Sequence, residues 1–383
     1  MDKVVIYHNQ DYTDQPEKFT KQRKILEDLK TEITRNSDRQ VSMRGLNFSP
    51  GPVRNMDEHI TEQLVTQIRD LIEAKIIAFF GDGGSGLFLG AIDQIARIYK
   101  ERRGRELSGL RENPICLAPG GTYVHGAKAM GTSRLSDVVA FARGGLNYRR
   151  QLVRMRNCRV TKRIKARPEY GTYERNHPFY AFAGMFFDAY LLELNERLSR
   201  NNGHFQNEFR VFVKIMKEVF LGDILDDKEG GLGRRRSKLR AITTIPSWGM
   251  VKFGPEVESL GDDGMYLMQS DEVGPLGLLK IATIINMVAA NRRILQKFFQ
   301  HVDEKKKAGA EFKPVGIQDV MHKFRPRRVA GFSEDFDPSL LGGLHYSTDG
   351  FPHTVSLSPG EEARLDISTI PDSGVHVVRH EAT

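Results

Sequence analysis

Cysteine is scarce: Cys116 and Cys158 are the only two in 383 residues. They make neither a disulfide framework nor a thiolate metal spacing, which suits a reducing compartment. No apolar run approaches the length of about 20 residues that a bilayer-crossing helix needs. The N-terminal stretch lacks the basic flank and apolar core of a signal peptide and leads straight into a strand-like KVVIY, so a cytoplasmic protein is expected. Internal repeats and low-complexity segments are also absent. Acidic residues are outnumbered, 49 Asp plus Glu against 57 Lys plus Arg, for a formal net charge of +8. That balance favours an anionic partner, whether nucleotide, nucleic acid or acidic lipid surface.

The chain is organised around Ile76 to Gly90, IIAFFGDGGSGLFLG. An apolar run breaks at Gly81-Asp82-Gly83-Gly84-Ser85-Gly86, then resumes with helical spacing at Leu87, Leu89, Ala91, Ile92, Ile95 and Ala96. The pattern predicts buried strand, glycine turn and helix. Such a turn lets backbone approach a ligand and aims helix N-terminal amides at it, which suits a phosphate. No lysine follows, and the stretch is read as neither a dinucleotide fingerprint nor a Walker loop. Asp82 beside a phosphate implies a bridging metal or proton handling; the alternative is an N-cap in a tight turn.

At this length two domains are expected. Lys3 to Tyr7 reads as a strand and 16–33 as a helix with Phe19, Ile25, Leu26 and Leu29 inward. The stretch 35–55 reads as irregular and 56–73 as one helix. A second strand and turn follows at 114–122. Strands alternating with helices predict a parallel sheet with helices on both faces, its ligand at the carboxyl ends of the strands, where Asn9, Asp82 and Gly121-Thr122 fall. From Gly144 strand-like runs dominate, beginning with 152–164 and 179–187. Arg154 and Arg156, at alternating positions, line one face of a strand that is either solvated or turned towards phosphate or membrane. Further helices are expected at 209–220 and 275–301.

The order of these motifs resembles the diacylglycerol kinase catalytic family, which includes sphingosine kinases and bacterial lipid kinases and shares its fold with NAD kinases. FGDGG at 80–84 resembles the family's GGDGT, and LAPGGTYVHGAKAMG at 117–131 its LPLGTGNDFARALG. GMFFDA at 184–189 is similar to GxGFDA, DDGMYLM at 262–268 to DDGxLxV, and STDGF at 347–351 to DGE. The resemblance implies an α/β nucleotide-binding domain with a parallel sheet over 1–143. It further implies a mostly antiparallel β-sandwich over 144–365 that binds substrate, and a tail at 366–383 packing back on the first domain. By the same resemblance, ATP with Mg²⁺ phosphorylates a lipid hydroxyl of diacylglycerol or sphingoid type. Asn9, Gly81, Gly83, Gly84, Ser85, Gly121 and Thr122 then hold the nucleotide, and Asp82 faces the metal or the acceptor with Asp349 assisting. Asp188 meets the head group, while Leu260, Asp263 and Met265 hold a structural Mg²⁺. The implied partners are lipid substrate, nucleotide and an anionic membrane surface met peripherally, with no nucleic acid; a homodimer is compatible. The sequence departs from the family at Phe351, in place of its glutamate, at Val124 and His125, in place of asparagine and aspartate, and at Leu87, in place of a helix glutamate. Those departures keep open a non-catalytic lipid- or nucleotide-binding descendant, and a kinase of a soluble acceptor is a third reading.

Overall fold

A computed structural model describes residues 3–35, 37–48, 56–103, 108–121, 125–186, 237–244, 247–248, 251–252, 264–273, 327–336 and 343–381. The first unit runs β1 (Lys3–Asn9), α1 (Asp11–Asp14), α2 (Thr20–Thr34), β2 (Gln40–Leu46), α3 (Met56–Val65), α4 (Ile68–Glu73), β3 (Lys75–Phe80) and α5 (Asp82–Arg103). It continues with α6 (Ser108–Glu112), β4 (Ile115–Pro119), α7 (His125–Ala129), α8 (Leu135–Arg143) and β5 (Tyr148–Val153). The second contains β6 (Arg156–Ile164), β7 (Arg167–Phe179), β8 (Phe182–Phe186), β9 (Ser237–Thr243), β10 (Ser247–Trp248), β11 (Val251–Lys252) and β12 (Met265–Val273). β13 (Arg327–Val329), β14 (Phe332–Phe336), β15 (Gly343–Thr348), β16 (Phe351–Ser356) and β17 (Glu361–Thr369) complete it, and β18 (Val375–His380) returns to the first.

The first sheet has the order β2-β1-β3-β4-β18-β5, parallel throughout except where β18 meets β5. Both faces are covered, so its strands read as apolar runs rather than alternations. Val5, Tyr7, Ile76, Ala78, Phe80 and Leu117 pack against α3 and α5, while Val4, Ile6, Ile77, Phe79 and Cys116 pack against α2 and α8. β18 is inserted between β4 and β5. β5 also belongs to this sheet, so the first unit draws a strand from beyond residue 143.

The second unit contains two antiparallel sheets, β13-β12-β9-β8-β15-β16 and β14-β17-β6-β7. Val160, Phe179, Leu365 and Ile367 of one face Met185, Ile242, Leu344 and Tyr346 of the other in a shared core. An α/β unit with a mostly parallel sheet plus an antiparallel β unit is the class expected.

Three local expectations are corrected. The stretch 35–55 is not wholly irregular, since Gln40–Leu46 pairs with β1 as an edge strand; its Ser42, Arg44 and Gly45 give no apolar run. The helix expected at 56–73 breaks into α3 and α4 around Thr66 and Gln67. Arg156 faces neither solvent nor membrane: it is fully buried and donates Nη1 to the Arg154 carbonyl, while Arg154 donates to the Ser373 carbonyl at 3.0 Å. The helices expected at 209–220 and 275–301 lie outside the described residues. Among the described residues no helix is long and apolar enough to cross a membrane.

Candidate functional site

In the first sheet the chain steps from β1 to β2 on one side and to β3 and β4 on the other. The carboxyl ends of β1 and β3 therefore flank the switch point where open α/β sheets bind ligands. β1 ends at Asn9, whose side-chain oxygen accepts the Asp11 amide at 2.9 Å. β3 ends at Phe80, and α5 begins immediately at Asp82. The glycine stretch is thus largely the first turns of a helix. The Ser85 amide donates to the Gly81 carbonyl at 2.9 Å and is withdrawn from the phosphate cradle assigned to it. The amides of Gly83 and Gly84 remain as first-turn donors without an intrahelical acceptor.

Gly81, Gly83 and Gly86 fall at GxGxxG spacing after a strand and at the start of a helix, so the letters of the dinucleotide fingerprint are met after all. The acid expected about twenty residues on would fall inside α5, which runs to Arg103, rather than at the end of the next strand. The fingerprint is incomplete.

The second turn touches the first. The Gly120 amide donates to the Phe80 carbonyl at 3.1 Å, and a Cβ on Gly120 would come within 2.5 Å of the Phe79 oxygen. A Cβ on Gly121 would approach the Gly81 nitrogen to 2.7 Å. Both turns are glycine because their backbones meet.

A third element closes over them. β15 and β16 are joined by Asp349-Gly350, both at positive φ (48° and 89°), the geometry of the two-residue Asp-Gly hairpin. The tip rests on α5. A Cβ on Gly83 would lie 2.5 Å from the Phe351 ring, and one on Gly86 would overlap the Asp349 carboxylate. That carboxylate is 4 % exposed and accepts the amides of Tyr180, Ala181 and Phe182, each at 2.9 Å. Asp349 thus ties the β7–β8 corner to the glycine turn, and three of its acceptor sites are already engaged.

The structure brings Asn9, Gly81, Gly83, Gly84, Gly121 and Asp349 to one end of the sheet, with Asp82 as the first residue of α5. The Asp82 side chain, Thr122, Asp188, Leu260 and Asp263 lie outside the described residues. Met265 starts β12 opposite Val329, its side chain in the core between the sheets. Among the described residues no three His, Cys, Asp or Glu side chains are grouped so that they could hold a metal ion.

One acid on α3 has a perturbed carboxyl that the sequence pattern does not reveal. Asp57 sits in the first turn of α3, which packs on α5, and burial, assisted by Glu58, pushes its carboxyl up to about 7. An acid there reads simply as a partner for the helix dipole.

No protein-family model and no curated protein matches the chain. Solved structures align over nearly all of it at low similarity. A structure from Bacillus anthracis str. Sterne, provisionally assigned as a diacylglycerol kinase, aligns over 100% of this chain and 99% of its own, with 10% identity and a TM-score of 0.43. A diacylglycerol kinase structure from the same organism covers 96% and 94% at 10% identity and a TM-score of 0.39. Yeast NADH kinase complexed with NADH covers 99% and 84% at 10% identity and a TM-score of 0.37. Likeness of this degree assigns neither activity nor substrate.

Proposed function

We propose that this chain is a phosphotransferase that takes the γ-phosphoryl group of ATP, with Mg²⁺ as the expected counter-ion of the triphosphate, to a lipid hydroxyl of diacylglycerol or sphingoid type. The observation that carries the reading is the backbone contact between Gly81 and Gly121 at the carboxyl ends of β3 and β4, beside the first-turn amides of Gly83 and Gly84, which have no acceptor within α5. Phosphoryl transfer asks for alignment and charge neutralisation more than covalent help. Two apposed glycine turns and a helix N-terminus offer both. Asp82, the first residue of α5, is the acid the motif resemblance assigns to the acceptor hydroxyl or the metal. The lipid acceptor rests on the motif order and on the β-rich second unit, and the net charge of +8 favours peripheral contact with anionic membrane from the cytoplasm.

The test is transfer of radiolabelled γ-phosphate from Mg-ATP to diacylglycerol, ceramide, sphingosine and total lipid extract in mixed micelles, comparing wild type with Asp82→Asn. Label in one lipid that disappears in the variant supports the proposal. A folded protein that labels none sinks it.

A second reading has its own observation. Phe351 lies against Gly83, and the Asp349 carboxylate is held by three amides, so neither offers a free base. That favours a binder that holds lipid or nucleotide without transfer, and a thermal shift with Mg-ATP in the absence of turnover would distinguish it.

A further inference from the structure

We infer that Arg149 and Arg379 form an anion site that takes a phosphate dianion, a site distinct from the glycine turns and independent of any kinase activity. The two arginines are direct partners in the antiparallel pair β5/β18. Their side chains leave the same face, with Cβ atoms about 5 Å apart. Neighbours of the same parity identify that face: Val153, Val375 and Val377 pack with the residues of α5 and α6. The opposite parity carries Val378 and Tyr148, which pack against Phe141. The end of the sheet is fixed too. β18 runs parallel to β4 with Val377 beside Ile115, so Arg379 lies further towards the carboxyl ends, where the His380 amide donates to the Met130 carbonyl at 2.9 Å. The pair therefore sits at the same end and on the same face as the start of α5, with Arg379 on the strand next to β4.

Its electrostatics are uncompensated. Like charges directly opposite each other in a sheet repel. Among the described residues neither arginine has a carboxylate within ion-pair distance, and Nη1 of Arg379 is buried with no hydrogen-bond partner. Burial and the Arg149 charge together hold the Arg379 guanidinium below its usual range. A buried N–H without an acceptor is costly, more so on a charged group. A dianion bridging the two guanidinium planes supplies the acceptor and cancels the repulsion. Phosphate fits better than a single carboxylate, because it offers two charges and oxygens for two planar forks.

Isothermal titration at low salt, with inorganic phosphate and separately with metal-free ATP, tests this on wild type, Arg149→Gln, Arg379→Gln and Arg150→Gln. Arg150 is opposite Val378 and leaves the other face, so its variant is the control. Phosphate should bind wild type and the control alike, and about tenfold or more weakly to either pair variant, as expected for losing one charge-assisted hydrogen bond. ATP weakened in parallel assigns the phosphate to a nucleotide; ATP unaffected assigns it to free phosphate or a head group. Should Arg379→Gln not fold, the exposed Arg149→Gln carries the comparison alone. No phosphate binding to wild type, or equal binding to wild type and both pair variants, overturns the site.

Discussion

Asp349 shows how one residue can be written into the sequence twice. Its carboxylate touches Gly86, so position 86 must be glycine for a reason unrelated to helix geometry. The carboxylate cannot simply swing aside, because three amides of the Tyr180–Phe182 corner hold it. Gly86→Ala is therefore expected to destabilise despite alanine's better helix propensity, by roughly 1–3 kcal/mol of overpacking. Pairing it with Asp349→Ala, which makes room, should recover part of that loss, and urea unfolding of the four-member cycle measures the coupling. Additive effects would mean that the two residues do not meet. From sequence, the Asp-Gly pair announces a hairpin, and the glycines announce a turn. Nothing in either stretch says that one docks on the other, because that contact is made between units far apart in the chain. Asp57 was hidden for a related reason: its raised carboxyl comes from the burial that tertiary packing creates.

At the scale of elements, the hairpin β15–β16 brings a second buried polar group into the interior. His177 on β7 shares a 2.9 Å hydrogen bond with the Tyr346 hydroxyl, and His353 on β16 shares a 2.8 Å bond with Thr348. The two imidazole rings lie 4.0 Å apart. Burial, with Arg175 adding repulsion, brings His177 down to about 4, and burial with the His177 charge puts His353 well below the usual range. Both are neutral in the folded state and protonate first in the unfolded one, so their contribution is complete above the ordinary histidine value and is lost as pH falls from there towards 4. The shift of His177 alone amounts to about 3 kcal/mol at most, titrating jointly with its neighbour. Thermal unfolding at a series of pH values from 7 to 4 should show wild type falling more steeply than His177→Gln; parallel curves would remove the pair from the account. Elements themselves were legible where burial is two-sided, as in β1, β3 and β4, whose apolar runs admit one reading. β2 was not, because an edge strand with Ser42, Arg44 and Gly45 looks like loop. The sequence pattern puts the start of α5 too late, at Leu87, for the opposite reason: glycines suggest a turn, yet the helix begins within them at Asp82, where two backbones and a hairpin can approach it.

Across the whole molecule, the return of β18 ties the C-terminal stretch into the first sheet. Its Val375, Val377 and Val378 are fully buried between β4 and β5, with cores on both faces. The approach is pinned by Asp93, 1 % exposed, which pairs with Arg97 and Arg111 at 3.0 Å each and accepts the Gly374 amide at 2.8 Å. Gly374 itself needs φ of +145° there, a conformation few other residues adopt. Arg154, Met155 and Ser373 add hydrogen bonds where the chain enters and leaves the β unit. The sequence does not mark 375–380 as a central strand, since VHVVRH would serve equally as an edge. Three buried valines contribute roughly 1.5–3 kcal/mol each, which together rivals the whole stability of about 5–15 kcal/mol of a typical domain. Removing residues 375–383 should therefore abolish the cooperative unfolding transition of the first unit, rather than lower its midpoint by a few degrees. Val377→Ala, by contrast, should leave the transition intact and cost roughly 2–3 kcal/mol from lost methyl groups and the cavity they leave. Limited proteolysis with near-ultraviolet circular dichroism separates these outcomes. A truncated chain that keeps a cooperative transition and wild-type protection of the β3–α5 junction would show that β4 and β5 close without β18, and that the glycine turns do not depend on the returning strand.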